Sequence, residues 1–469
     1  PGPRSVSPGL SGCIPAGAGL ENKGIYQQAG ASGASGVALR DMTGDGLVDL
    51  VQLYDTQVQI YSGFGSGEGS FFGSITLNIP TGTGNSLAIA DFDKNGRPDV
   101  VVGLGGTNQF AVFLQTAPSV FAPPVSWAAG TQVLGLATGD FNGDTNPDVV
   151  VIGQVPNALS EVTGRGDGTF NGFTPIPVGG ASLSAVVAAD LNGDAFTDVA
   201  YAQGPQLGLL RGSAGMLQAA GSIPLPAPAF SLAVGDLDND GVNDLAAVSQ
   251  SPNSVQLELN RSNFSFVPGV NVPLTSTGGR AAIAELTGDS FKDLVVATQD
   301  NVLTEFRGTG GGGLASFFST TLFATPGSIT TGDFNTDGNA DVVVGENLVN
   351  QFPTLELWAA RRPIPAGTDT YSFVAPANTQ MFFLDRGPAG IAWDAELYSR
   401  GAAGTNTATF PLLSTLRPGR PSPAGQFVHW SPNLMIAANP ANASIDNFSN
   451  SRLRLDAETS MSFLPKYRR

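Results

Sequence analysis

Small, apolar and polar residues alternate in repeating blocks along the first 360 positions of the chain. Each block opens with small residues, as in 86–90 and 184–189. A polar stretch of nine residues follows. Then comes an unbroken β-branched run such as Val100, Val101 and Val102, or Val149, Val150 and Val151, or Val342, Val343 and Val344. Runs of this kind predict strands buried on both faces. The small residues before the polar stretch predict an innermost strand crowded near an axis. Two further strands complete a block. In one they are 111–114 and 121–127; in another the turn 164–168 leads into 173–178.

The polar stretches open at Asp41, Asp91, Asp140, Asp190, Asp236, Glu285 and Asp333, at intervals of 50, 49, 50, 46, 49 and 48 residues. A fixed period of about 20–50 residues marks solenoids and propellers. Four strands in each of seven blocks predict an all-β chain whose main part, residues 24–360, is a seven-bladed β-propeller. The last block, from Ser328 to about Ala360, supplies only three strands. Residues 24–29 precede the first inner strand, where every other block has its outer strand, and are expected to complete blade seven and leave no open edge. The remaining boundaries are an N-terminal arm at 1–23, a linker at 361–367 and a β-rich domain at 368–469. In that last part, alternation at 371–374, 381–384, 395–398, 426–430, 452–456 and 460–464 predicts a small β-sandwich-like fold.

The nine-residue stretches place oxygen-bearing side chains at positions 1, 3, 5 and 9. They are Asp41, Thr43, Asp45 and Asp49 in the first loop, and Asp91, Asp93, Asn95 and Asp99 in the second. The third has Asp140, Asn142, Asp144 and Asp148; the fourth has Asp190, Asn192, Asp194 and Asp198. The fifth has Asp236, Asp238, Asp240 and Asp244, and is the fullest. The sixth has Glu285, Thr287, Asp289 and Asp293, and the seventh Asp333, Asn335, Asp337 and Asp341. Position 7 is unrestricted: Leu47, Arg97, Asn146, Phe196, Val242, Phe291 and Asn339. That scatter predicts a backbone carbonyl ligand there. Hard cations such as Ca²⁺ take about six to eight oxygen ligands, and a glycine at position 6 permits the sharp turn. Up to seven Ca²⁺ ions are therefore expected. Mg²⁺ demands stricter octahedral geometry, and no loop has the Cys or His that Zn²⁺ favours. Thr145, Ala195 and Ser290 replace the glycine in loops three, four and six, and loop six is the weakest on paper. An EF-hand needs Glu at position 12, where this chain has Val102 and Ala247.

Loops such as Asp333 to Asp341, with turns such as Gly166 to Phe170, resemble those of the FG-GAP/VCBS repeat family, whose integrin α-type members form seven-bladed propellers. The resemblance covers roughly residues 24–360. It implies the propeller fold and calcium in the loops. Relatives include adhesion receptors, lectins and accessory domains of secreted enzymes, so it leaves function open.

Charge and composition narrow the function. The chain carries a formal −17 at pH 7. Residues 361–469 contribute +4 and the rest −21. Nucleic acid is a poor partner for so acidic a body. No apolar run reaches the roughly 18 residues of a membrane span. One cysteine, Cys13, excludes an intrachain disulfide, and one histidine, His429, leaves little for Ser–His or Cys–His catalysis. Arg165, Gly166 and Asp167 read as a hairpin turn, and Asn260, Asn263, Asn442 and Asn447 open glycosylation sequons. The expectation is a non-enzymatic, secreted or cell-surface protein for adhesion or recognition, its ligand a glycan or a protein. The alternative is a subunit of an extracellular filament or surface layer that assembles with identical subunits through arm and tail.

Overall fold

The computed structural model describes residues 20–27, 34–63, 71–277, 279–336, 338–347 and 354–360, and the backbone of seven strands beyond residue 367. The chain divides into two units, one ending at Ala360 and the other containing the later strands.

The first unit is a seven-bladed β-propeller. Each blade is a four-stranded antiparallel sheet, and in five of the seven its strands follow one another in sequence. In blade one they are Ala34–Arg40, Asp49–Tyr54, Gln57–Gly63 and Phe71–Asn78. The first strands of successive blades are neighbours, and that of blade seven, Thr325–Gly332, lies against that of blade one. The ring is therefore closed. Blade seven takes its fourth strand from the start of the chain: Leu20–Gln27 pairs antiparallel with Thr354–Ala360, from Leu20 opposite Ala360 to Gln27 opposite Thr354.

The second strands bear out the reading of the β-branched runs. Val100, Val101, Val102, Val149, Val150, Val151, Val342, Val343 and Val344 are all fully buried. Burial on both faces follows from the ring, because each blade is sandwiched between two others. The core accordingly lies between blades: Leu50 and Tyr61 of blade one pack with Phe334, Val343 and Leu355 of blade seven. Each buried Val or Leu contributes about 1.5–3 kcal/mol.

The outer strands depart from expectation. In blade three the outer strand is only Thr174–Ile176. In blade two the expected strand 121–127 is broken: Val120–Phe121 pairs back on Gln115–Ala117, and Val125–Ala128 forms the blade's edge. Pro123 and Pro124 stand between the two pieces and have no N–H to give a ladder.

In the second unit Thr368–Ala375 pairs with Gly404–Pro411, Gln380–Arg386 lies between Trp393–Ser399 and Leu434–Ala438, and Ala443–Ser444 pairs with Arg454–Leu455. Cys13, His429, Asn442, Asn447 and the expected strands 426–430 and 460–464 lie outside the described residues.

Candidate metal centres in the seven loops

Each loop joins the first strand of its blade to the second, so all seven lie on one face of the ring. Their backbone is held by the very side chains the sequence singled out, in a recurring pattern. The position-1 carboxylate accepts the N–H of position 6: Asp41 Oδ2 from Gly46 at 2.8 Å, Asp140 Oδ2 from Thr145 at 2.8 Å, Asp236 Oδ2 from Gly241 at 2.9 Å. The position-5 oxygen accepts the N–H of position 7, as in Asp45 from Leu47 at 2.9 Å and Asp144 from Asn146 at 2.8 Å. These contacts curl the chain around the acidic side chains. Positions 4 and 6 are both left-handed. At position 6, φ runs from +68° at Thr145 to +91° at Gly338; at position 4 it runs from +57° at Lys94 to +82° at Gly193.

Position 9 stands apart. Asp49, Asp99, Asp148, Asp198, Asp244, Asp293 and Asp341 are fully buried. One oxygen of each accepts the N–H of position 2, and the other accepts an N–H from the end of the third strand. For Asp148 the donors are Phe141 at 3.0 Å and Gly164 at 2.8 Å. For Asp99 they are Phe92 at 2.8 Å and Gln115 at 2.7 Å. The aspartate is thus a staple between loop and sheet, using charge-assisted bonds worth about 1.5–3 kcal/mol each. Burial pushes Asp99, Asp198 and Asp244 up to about 6 and Asp148 up to about 7. The backbone donors oppose that rise, and neighbouring carboxylates such as Asp93, Asp194, Asp238 and Asp144 add to it.

Position 2 carries an apolar plug: Met42, Phe92, Phe141, Leu191, Leu237, Leu286 and Phe334 are all buried. Phe92 meets Phe170 edge-on at 5.3 Å, and Phe170 also meets Phe110 and Trp127. Carbonyls here are taken by the next blade. Met42 O accepts Gln115 Nε2, Phe92 O accepts the N–H of Gly168, and Phe141 O accepts that of Ser213. Each of these three loops is therefore tied to the blade that follows it.

Among the described residues, two loops bring three carboxylates together: Asp91, Asp93 and Asp99 in loop two, and Asp236, Asp238 and Asp240 in loop five, each set with oxygens within 4.8 Å of one another. In other loops hydroxyls or amides fill the set, as Thr43, Asn142, Asn192, Thr287 and Asn335 do at position 3. Asp337 lies outside the described residues. Three position-3 oxygens, Thr43 Oγ1, Asp238 Oδ1 and Thr287 Oγ1, are buried without a hydrogen-bond partner. Such an oxygen, set among carboxylates, fits a hard cation better than a solvated turn does. Position 7 donates its N–H within the loop, which the sequence did not predict.

Among the described residues, three loops also receive an arginine. Arg211 Nη2 reaches Asp194 Oδ2 at 3.2 Å, Arg307 Nε reaches Asp289 Oδ2 at 2.8 Å, and Arg261 Nη1 bonds Asp238 and lies 3.2 Å from Asp240 Oδ2. Nothing in the repeat pattern announced these. The turn at Arg165–Asp167 is a turn in fact: Asp167 Oδ1 accepts the N–H of Thr169 at 2.9 Å. Asn260 is fully buried and its amide donates to Leu191 O and Asn243 O, so no glycan fits there in the folded ring, whereas Asn263 is exposed.

The model of the FG-GAP-like repeat family matches residues 41–102, 140–201, 236–296 and 285–344. The chain is an FG-GAP-repeat β-propeller protein. No curated protein matches it. Among solved structures it is similar to two crystal structures of BBS1N in complex with ARL6DN, one soaked with mercury and one with lead. The first likeness has a TM-score of 0.53 at 14% identity over 73% of this chain and 97% of that one. The second has 0.51 at 14%, over 74% and 96%. At this identity the likeness concerns the fold alone.

Proposed function

We propose that the ring is a calcium-stabilised, non-catalytic recognition module that works outside the cell and takes a protein as its ligand. The observation that carries the calcium reading is the set of three buried, unpartnered position-3 oxygens, Thr43 Oγ1, Asp238 Oδ1 and Thr287 Oγ1. An orphaned buried oxygen costs about 1–3 kcal/mol, and a divalent cation supplies the missing partner. The side chains at positions 1, 3, 5 and 9 would hold the ion. Bound there, it would neutralise the mutual repulsion that helps to push Asp99 and Asp148 up. Extracellular calcium modules work at about 10⁻⁴–10⁻³ M, which suits loops with mixed carboxylate and amide donors.

A protein ligand is supported by analogy alone: a propeller of similar fold, BBS1N, is seen in complex with ARL6DN. The absence of catalysis is supported by the chain's single cysteine and single histidine. Among the described residues no helix is long and apolar enough to cross a membrane.

Chelation tests the calcium reading. A ligand that binds only the folded state stabilises it by about 2.7 kcal/mol at a hundred times its dissociation constant. The melting temperature is expected to fall by several degrees on adding chelator and to recover with excess Ca²⁺. Superimposable melting curves overturn the reading. Size exclusion and a glycan array test the ligand class. Concentration-dependent assembly that is lost without residues 361–469 would favour the filament alternative, and specific binding by a glycan would replace the protein ligand.

A further inference from the structure

The arginine contacts fall in loops four, five and six, and all three arginines reach position 5, Arg261 bonding the position-3 carboxylate of Asp238 as well. Asp194, Asp240 and Asp289 are the position-5 carboxylates of those loops. On each, Oδ1 already accepts a backbone N–H, from Phe196 at 3.0 Å, Val242 at 3.0 Å and Phe291 at 2.9 Å. The guanidinium takes Oδ2. In loops one and three the equivalents Asp45 and Asp144 accept only the backbone N–H of Leu47 and Asn146, and in loop two the position is Asn95. The arginines come from equivalent places, at or just past the end of the third strand. Arg211 ends Gln206–Arg211, Arg307 is next to last in Val302–Gly308, and Arg261 follows Asn253–Asn260.

We propose that Arg211, Arg261 and Arg307 are latches, internal cations that compete with calcium for the position-5 carboxylates, so that the ring fills in two classes, loops one to three before loops four to six. This rests on the calcium reading above and sets its order. The latched loops keep an oxygen for an incoming ion: Asp238 Oδ1, on a side chain only 3% exposed, stays without a partner although Arg261 holds the other oxygen. The arginine side chains are 51%, 43% and 39% exposed, so each can swing into water when displaced. Exposed ion pairs are weak. A latch of this kind lowers affinity without abolishing it, by about three- to tenfold per loop once repulsion between guanidinium and ion is included.

Calorimetric titration of the calcium-stripped full-length chain with Ca²⁺ tests this, with elemental analysis giving the number of ions bound. The wild type is expected to show two classes of site. The R211Q/R261Q/R307Q variant is expected to tighten the weaker class about tenfold and leave the tighter one in place. R307Q alone should move a single site, which keeps the test usable if the triple variant folds poorly. R165Q is the charge control, because Arg165 Nε donates to Asn171 Oδ1 and to no loop carboxylate; it should titrate as wild type. A triple variant and an R307Q that both titrate like wild type overturn the latch, as does an R165Q that tightens as much as they do. Absence of bound calcium in every protein overturns the calcium reading itself, a different result from calcium that binds without heeding the arginines.

Discussion

Position 6 is left-handed in all seven loops whether or not glycine stands there: Thr145, Ala195 and Ser290 adopt φ of +68°, +70° and +74°. A side chain in that region costs about 1–2 kcal/mol, so at Thr145 and Ala195 the hydrogen bond from position 6 to the position-1 carboxylate, together with the packed ring, must hold it. The sequence showed the glycine at four loops but not that position 4 is left-handed as well, because Lys94, Asn239 and Thr336 hide the signal there. Buried glutamates were hidden more deeply. Glu161, Glu258, Glu305 and Glu356 sit in third strands that otherwise read as sheet core. Glu258 is 1% exposed, its Oε2 has no partner, and burial raises it to about 7 while Gln256 pulls it down. An unfolded glutamate titrates near 4.3. Between that value and about 7 the folded ring keeps a proton that the unfolded chain releases, so stability falls as pH rises through this window and stays low above it. Glu258→Gln removes the penalty. It should match wild type at pH 4 and be more stable by about 1–2 kcal/mol at pH 8, read from denaturant midpoints at both pH values. An equal offset at both would show that Glu258 is not the group responsible.

At the scale of the loop and its two strands, the position-9 aspartate does more than offer a ligand. Asp148 holds the N–H groups of Phe141 and Gly164, both of them buried contacts. Removing the carboxylate leaves two donors without partners at about 1–3 kcal/mol each. Asp148→Ala is therefore expected to lose about 3–5 kcal/mol in chelator as well as in calcium. Asp144→Ala, at an exposed side chain whose one contact is the N–H of Asn146, should lose stability chiefly when calcium is present. Thermal melts of both variants with and without chelator separate staple from ligand; an Asp148→Ala protein that matches wild type in chelator would remove the staple. The repeat was legible because staple, apolar plug and β-branched run all recur in register, and selection on any one of them leaves the same spacing. Outer strands were less legible. Thr174–Ile176 and Val125–Ala128 face water on one side and end at prolines, so neither continuous burial nor strict alternation marks their bounds. The arginine latches could not be read at all, since they join residues 17 to 23 positions apart across a loop and a strand end.

At the scale of the whole ring, two kinds of closure can be told apart. Packing closes the ring between the first strands of blades seven and one and through the Phe334, Tyr61 and Leu50 cluster. Hydrogen bonding closes it only within blade seven, where Leu20–Gln27 covers the edge of Thr354–Ala360. Without that strand the edge presents a row of free backbone groups to any other chain, and the apolar side chains of Leu355, Leu357 and Trp358 lie along it. Deleting residues 1–33 removes the covering strand and leaves the first strand of blade one, Ala34–Arg40, intact. The first-to-seventh packing survives such a deletion, so the ring is expected to fold. Its blade seven should be frayed, with a lower melting temperature and self-association through the open edge. Light scattering on the truncated protein should show oligomers that grow with concentration, and a synthetic peptide of residues 19–28 added in excess should suppress them by restoring the pairing. A truncated chain that stays monomeric and melts with wild type would mean that packing alone closes the ring and that the N-terminal strand serves only as cover.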